Sequence, residues 1–366
     1  MQGIALAFAE LTDPRRPNAR HHKLLDILAI AFCACLCGAE SCVDMAGFAM
    51  AKEEVLREFL DLDNGPPSHD TFSRVFRRLD PKAFSACFAG YLERFSAACK
   101  GHVAIDGKAL RGAQDRAAGG SPLQMVSAFA STARLTLGQL ATDAKSNEIP
   151  AVRALLSLLS LEGCTVTLDA LHAQRQTAQA LLDKKADYIL ALKGNQGDLH
   201  DDVRTLLEDP TMKAHSREQT VDGDHGRIET REAQLVTNIA WLQEQHHWPG
   251  LACIGKITAT REDKGAGTKQ TQTRYYLLSR VMEAHEFLDL VRNHWSIENS
   301  LHWVLDVVMH EDDSRARKDH APANLAILRR MALNTIQANP DKGSNRLKFK
   351  RAGWDDRFLR QLIAQC

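Results

Sequence analysis

The sequence has no surplus of charge: 46 lysines and arginines stand against 46 aspartates and glutamates in 366 residues. Neutrality removes the simplest argument for a nucleic-acid partner, so such a partner has to be argued from local charge and from a site. A long apolar run is missing as well. The most apolar stretch, Leu24 to Cys37, falls short of the roughly 18 residues that suggest a membrane helix. It is also broken by Asp26 and followed by Glu40 and Asp44. The first residues lack the basic start and cleavage site of a signal peptide. There is no internal repeat and no low-complexity tract, which excludes a fibre and a chain dominated by disorder. Nine cysteines make no even disulfide framework, and a chain of this length needs no staples. Free thiols in a reducing cytoplasm are expected. Cys33, Cys35 and Cys37 alternate within a helical run, so they fan around it and do not converge on a metal.

What is present is ordinary globular material, 44% hydrophobic and 25% charged. At about 150 residues per domain, two domains are expected. The first hundred residues read as helical: Leu24 to Cys37 buried, Val43 to Leu60 amphipathic, then a break at Asp61 to Pro67. Ser68 caps a helix through Arg78, and another runs from Lys82 to about Ala98. At Gly101 the texture changes. His102 to Asp106 is a short β-type run ending on a carboxylate, and Leu123 to Ser131 and Leu135 to Ala141 form a hairpin. A helix from Asn147 to Leu161 precedes a buried strand, Cys164 to Leu168, that also ends on a carboxylate, Asp169. A helix (His172 to Lys184) and a third buried strand (Tyr188 to Leu192) complete the alternation. Residues from about 195 to 283 interrupt it with one helix, Asp198 to Leu207, and three β-type runs. Helices return at Ala284 to Met309 and His320 to Gln337, and the tail after Pro340 is basic and weakly patterned.

Two strands ending in aspartate, followed much later by a helical glutamate, form a specific kind of pattern. Asp106, Asp169 and Glu298 would repel one another if brought together unaided. Hard divalent cations remove that repulsion, and Mg²⁺ favours carboxylate and water ligands. A pair of such ions about 3.5–4 Å apart serves both the attacking and leaving oxygens of a phosphodiester. Aspartates at strand ends are also common as turn formers and helix caps.

Three segments carry a resemblance: Val103-Ala104-Ile105-Asp106-Gly107-Lys108-Ala109-Leu110-Arg111-Gly112, Thr167-Leu168-Asp169-Ala170-Leu171-His172-Ala173-Gln174, and His294-Trp295-Ser296-Ile297-Glu298-Asn299-Ser300-Leu301-His302-Trp303. In this order and spacing they resemble bacterial insertion-sequence transposases of the DDE type, the group that includes the H-repeat-associated proteins. The resemblance covers nearly the whole chain. It implies an α/β fold: a ribonuclease-H-like catalytic core at 101–340 with a β-rich insertion at about 195–283. A small all-α DNA-binding domain at 1–100 would precede it, and a basic tail at 341–366 would follow. It further implies that Asp106, Asp169 and Glu298 are catalytic and hold two Mg²⁺ ions, with Mn²⁺ able to substitute. Asp106 would bridge the ions, and Asp169 and Glu298 would each complete one. The implied partner is double-stranded DNA, as transposon ends and as target, held by a homodimer in the bacterial cytoplasm at the nucleoid. Two rivals share the pattern: a nuclease of the same fold without strand transfer, and a catalytically idle DNA-binding relic.

This sequence departs from the broader related transposases at the Glu helix. The offsets that carry Tyr, Arg and Lys there fall here on Val291, His294 and Leu305. Arg292 is the candidate to replace the missing arginine, and His294 a candidate phosphate contact or helix positioner. His294, Glu298 and His302 share a helical face, a spacing also compatible with zinc, although two aspartates point to a harder ion. The indoles of Trp295 and Trp303 are expected to pack. Glu311-Asp312-Asp313 is either an outer group of the metal site or the acidic start of the next helix.

Local charge supplies what the total lacks. Arg74, Arg77 and Arg78 share one face of a helix whose other side is Phe72, Val75, Phe76 and Leu79, the layout of a recognition helix. Lys193 in Lys193-Gly194-Asn195-Gln196 follows a buried strand, and Arg227 sits in His225-Gly226-Arg227-Ile228-Glu229-Thr230-Arg231. Both are phosphate-contact candidates, or else a turn and an exposed strand face. The tail offers Lys348, Lys350 and Arg351 among further basic residues.

Overall fold

A computed structural model describes residues 2–92, 101–114, 121–142, 148–224 and 227–365. In chain order it contains helices α1 (Gln2–Phe8), α2 (Leu24–Leu36), α3 (Cys42–Ala51), α4 (Glu53–Leu56), α5 (His69–Arg78) and α6 (Pro81–Leu92). Strand β1 (His102–Leu110), the pair β2 (Leu123–Ala130) and β3 (Leu135–Ala141), and α7 (Glu148–Leu158) follow. Next come β4 (Thr165–Leu168), α8 (Arg175–Asp183), β5 (Asp187–Leu192) and α9 (Gly197–Glu208). Strands β6 (Ser216–Asp224) and β7 (Arg227–Val236), α10 (Ala240–His246), β8 (Cys253–Asp263) and β9 (Thr268–Leu278) make up the insertion after α9. The chain closes with α11 (Ala284–His294), α12 (Trp303–Val307), α13 (Ala321–Ala338), α14 (Asn345–Trp354) and α15 (Asp356–Ala364).

The chain divides into two compact units. The first gathers Met1–Cys99, Gly107–Leu159 and Glu298–Cys366. Its centre is helical because α2 and α13 are buried all round: Ile27 through Leu36 are apolar and buried, and α13 is buried from Ala321 to Ile336, its Asn324, Arg330 and Asn334 bonded to groups inside. A helix without a polar face, as α2 is beyond Asp26, has to lie inside. α13 packs on α2, α5, α6 and the antiparallel β2–β3 hairpin, whose other cover is α7.

The second unit gathers Lys100–Asp106 and Ser160–Ile297. Its strands run in the order β1-β4-β5-β9-β8-β7-β6. β1, β4 and β5 are parallel and buried, as their apolar runs demand; β5 meets β9 antiparallel, and β9, β8, β7 and β6 form a meander. α11 packs on this sheet through Phe287 and Leu288 against Leu235, Cys253, Tyr276 and Leu278. The approach is close at Gly255, where a Cβ would lie 2.9 Å from the Phe287 ring.

Several expectations are corrected. β1 does not end at Asp106 but continues to Leu110. The helix expected to run unbroken from Ala284 to Met309 is interrupted: α11 stops at His294 and Glu298–His302 forms a π-helical segment. The tail is not weakly patterned, since α14 and α15 bury Phe349, Ala352, Phe358, Leu359 and Leu362. The expected extension of α6 to Ala98, and His225 and Gly226, lie outside the described residues.

Candidate active site

In the second unit, the parallel register pairs Ala104 with Thr167 and Ile105 with Leu168. Asp106 and Asp169 are each the next residue on neighbouring strands, which lie about 4.8 Å apart in a sheet. β1 carries on past its aspartate, whereas β4 ends and Asp169 turns the chain. Asp169 Oδ1 accepts from the Leu171 amide at 3.1 Å, capping a 3₁₀ turn over Ala170–His172. Its side chain is 48% exposed, and His172 Nε2 stands 3.7 Å away.

Two neighbours that sequence reasoning passed over hold this turn. The Asn195 amide donates to the Ala170 carbonyl at 2.8 Å and the Gln196 amide to the Ala173 carbonyl at 2.7 Å. The Lys193-Gly194-Asn195-Gln196 segment is therefore a brace for the loop carrying Asp169, with Lys193 itself exposed. The signal was the position of the two amides directly after a buried strand.

A second brace crosses from strand to helix. Thr167 Oγ1 lies 2.8 Å from His102 Nε2 and 2.8 Å from His294 Nδ1. A hydroxyl has one proton to give, so one ring accepts it and the other donates to the oxygen. The chain ties the end of α11 to β4 two residues before Asp169. His102 is 5% exposed. Burial, with His294 beside it, pushes its pKa down to about 3.

In the first unit, Glu298 opens the π-helical segment with its carboxylate 48% exposed, and His302 Nδ1 lies 3.4 Å from Glu298 Oε2. Such wide turns recur at functional sites. Lys108, part of the first motif but without an expected role of its own, is buried. Its ammonium is 2.7 Å from Asp306, 3.1 Å from Asp312 and 3.7 Å from Glu311. Burial would raise the Glu311 pKa, but Arg330, Arg329 and Lys108 outweigh it and hold the carboxyl below its usual range. Glu311–Asp313 is thus a 3₁₀ turn that grips Lys108 and Arg330, not the start of the next helix.

The basic candidates fare differently. Arg74 and Arg78 are exposed on α5, while Arg77 Nε donates to Asp319 at 2.7 Å. Arg227 faces Asp263 at 3.4 Å and Arg292 faces Asp222 at 3.2 Å, both largely exposed. Lys350 is exposed, and Arg351 pairs with Asp341 at 2.8 Å. Lys348, expected among the phosphate contacts, is instead turned inward: it is 7% exposed and donates to the carbonyls of Ile336 and Asn339, closing the end of α13. Leu305, at the offset of the usual lysine, is fully buried. The indoles expected to pack are 48% (Trp295) and 56% (Trp303) exposed.

These features define a mixed α/β protein with a helical N-terminal region and two aspartates, Asp106 and Asp169, carried side by side on parallel strands. The family described as Transposase DDE domain matches residues 97–335, and the family described as DDE_Tnp_1-associated matches residues 5–92. The chain belongs to the DDE-domain transposase family. It is 37% identical to YncI of Escherichia coli O157:H7, over 100% of this chain and 95% of that one. It is 33% identical to the H-repeat-associated protein YhhI of E. coli K12, over 97% and 96%. Both relatives carry a provisional transposase name. A solved piggyBac transposase synaptic complex with hairpin DNA aligns over 99% of this chain and 77% of that one, at 10% identity and a TM-score of 0.38, too weak a likeness to define the fold. Among the described residues no helix is long and apolar enough to cross a membrane.

Proposed function

We propose that the protein is an active DDE transposase that binds the terminal inverted repeats of its own element, frees a 3′-hydroxyl at each end and joins it to target DNA. The observation that carries this reading is the register placing Asp106 and Asp169 side by side on parallel strands, in a chain whose family match continues through Glu298. A ribonuclease-H-like core is supported by three parallel strands in the order β1-β4-β5, by the β2–β3 hairpin between β1 and β4 in the chain, and by helices between them.

The donor set fits a hard cation. Asp106, Asp169 and Glu298 offer only oxygen, and Asp169 and Glu298 are half exposed. These three would hold two Mg²⁺ ions, with Mn²⁺ able to substitute. When bound, the ions supply water activation and neutralise the charge that develops on the leaving oxygen. The chain's own residues do the positioning. Asn195 and Gln196 fix the Asp169 turn, Thr167 and His294 fix the end of α11, and the Lys108 cluster anchors the strand beyond Asp106. No nucleophilic side chain is required, because water and then the freed hydroxyl attack the phosphorus. Arg74, Arg78, Lys193, Arg227, Arg292, Lys350 and Arg351 would meet backbone phosphates, and a homodimer would pair the two ends.

The test uses purified protein and a labelled duplex carrying the inverted repeats that flank the gene. Cleavage at the repeat ends in Mg²⁺ is expected, with joining of a pre-cut end to a plasmid. Asp106→Asn, Asp169→Asn and Glu298→Gln should each lose cleavage by at least about a thousandfold while still shifting the duplex. Cleavage undiminished in these variants would overturn the assignment, and cleavage without joining would leave only a nuclease.

A further inference from the structure

The insertion sheet carries a groove that the transposition chemistry does not use. The β7–β8–β9 register sets Leu235, Gly255 and Tyr276 in one row, Arg231, Ala259 and Gln272 in another, and Glu229, Arg261 and Gln270 beyond. Side chains alternate between faces of a sheet, so these rows share one face. α11 covers the apolar row through Phe287. Beyond its reach the rows turn polar, and the end of α11, with Arg292 and Trp295, forms a wall. The groove is open to solvent and has a volume of about 820 Å³.

The lining is unbalanced in charge. Arg231, Arg261 and Arg292 share two carboxylates: Asp222 is 2.6 Å from Arg231 and 3.2 Å from Arg292, and Glu229 is 2.6 Å from Arg231 and 3.7 Å from Arg261. Arg274 instead bonds the Gln272 side-chain oxygen at 3.1 Å and lies 5.4 Å from the centroid of the Trp295 ring. The groove therefore combines surplus guanidinium charge with a half-exposed indole. That pairing suits a nucleic acid whose bases are free. Every unpaired base has a π-face that can stack on an aromatic ring while cations follow the backbone. In a duplex the base faces are already stacked on one another.

We propose that this groove seats single-stranded DNA, with Arg261 and Arg274 on phosphates and Trp295 stacked on a base. The proposal deepens the transposase reading and rests on it for its setting, since a strand freed at a cut end would be the occupant. The binding itself needs neither metal nor the catalytic carboxylates.

The test is fluorescence anisotropy with the full chain, a labelled oligothymidylate of about 12 nucleotides and EDTA at low salt. Wild type should bind with the metal removed. Trp295→Ala and Arg274→Ala should each weaken oligothymidylate binding about tenfold, at unchanged thermal midpoint, and leave binding of the repeat-end duplex intact. Oligothymidylate binding unchanged in both variants would overturn the proposal. So would an equal loss on the duplex, which would make the groove a duplex seat. Wild type that binds oligothymidylate but never cuts repeat ends would sink the transposase reading alone.

Discussion

At the scale of single residues, His102 shows how the neighbouring strands that carry Asp106 and Asp169 are held by a buried ring. Its Nε2 meets Thr167, and its Nδ1 has no hydrogen-bond partner among the described residues, so a second ring proton has nowhere to go. Its pKa falls from 6.5 to about 3 through burial, aided by His294. The unfolded chain therefore takes up the proton first as pH drops. The stability tied to neutral His102 is fully present above pH 6.5 and is lost as pH falls from there toward 3. Between pH 7 and pH 5 the loss should be about 2 kcal/mol. Urea midpoints at the two pH values check this against His102→Gln, in which that part of the pH dependence should vanish. An identical pH dependence in both proteins would show that His102 is not the source.

At the scale of elements, Gly112 shows why a motif can be recognised before it is understood. It closes the segment that begins at Val103, and its type is dictated by two short 3₁₀ turns, Arg111–Ala113 and Glu311–Asp313. A Cβ at Gly112 would lie 2.3 Å from the Asp312 carbonyl oxygen and 2.4 Å from that of Ser314. Both are backbone atoms and cannot swing aside. Gly112→Ala should cost about 1–3 kcal/mol in a denaturant melt and loosen Asp312 from Lys108. A melt unchanged from wild type would refute the packing argument. The buried helix α2, the parallel strands and both aspartates were legible in the sequence because apolar runs and strand-end carboxylates are local signals. β6 and α10 went unread, and so did α14 and α15, because their faces become apolar only against partners far along the chain. The π-helical turn at Glu298 was invisible for a related reason. Its sequence keeps helical periodicity while the backbone widens, and only the fold reveals the change. Lys108 likewise looks like a surface lysine until Asp306, Glu311 and Asp312 surround it.

At the scale of the whole molecule, zero net charge hides local surpluses, and the salt dependence of the proposed DNA binding would resolve them. Removing one cation that neutralises a phosphate should flatten the plot of log affinity against log salt by about 0.9. Arg74 and Arg78 point to solvent from α5, so Arg74→Ala with Arg78→Ala should lower the slope for repeat-end duplex by about two such steps. Lys348 adds the same formal charge to the total but spends it on the carbonyls of Ile336 and Asn339. Lys348→Met should therefore leave the slope unchanged and lower the thermal midpoint instead, since it strips the end of α13 of its donor. Filter-binding titrations from low to moderate salt measure the slopes. If Lys348→Met flattened the slope as much as the α5 pair, net charge would govern binding, and the distinction between buried and presented cations would fail.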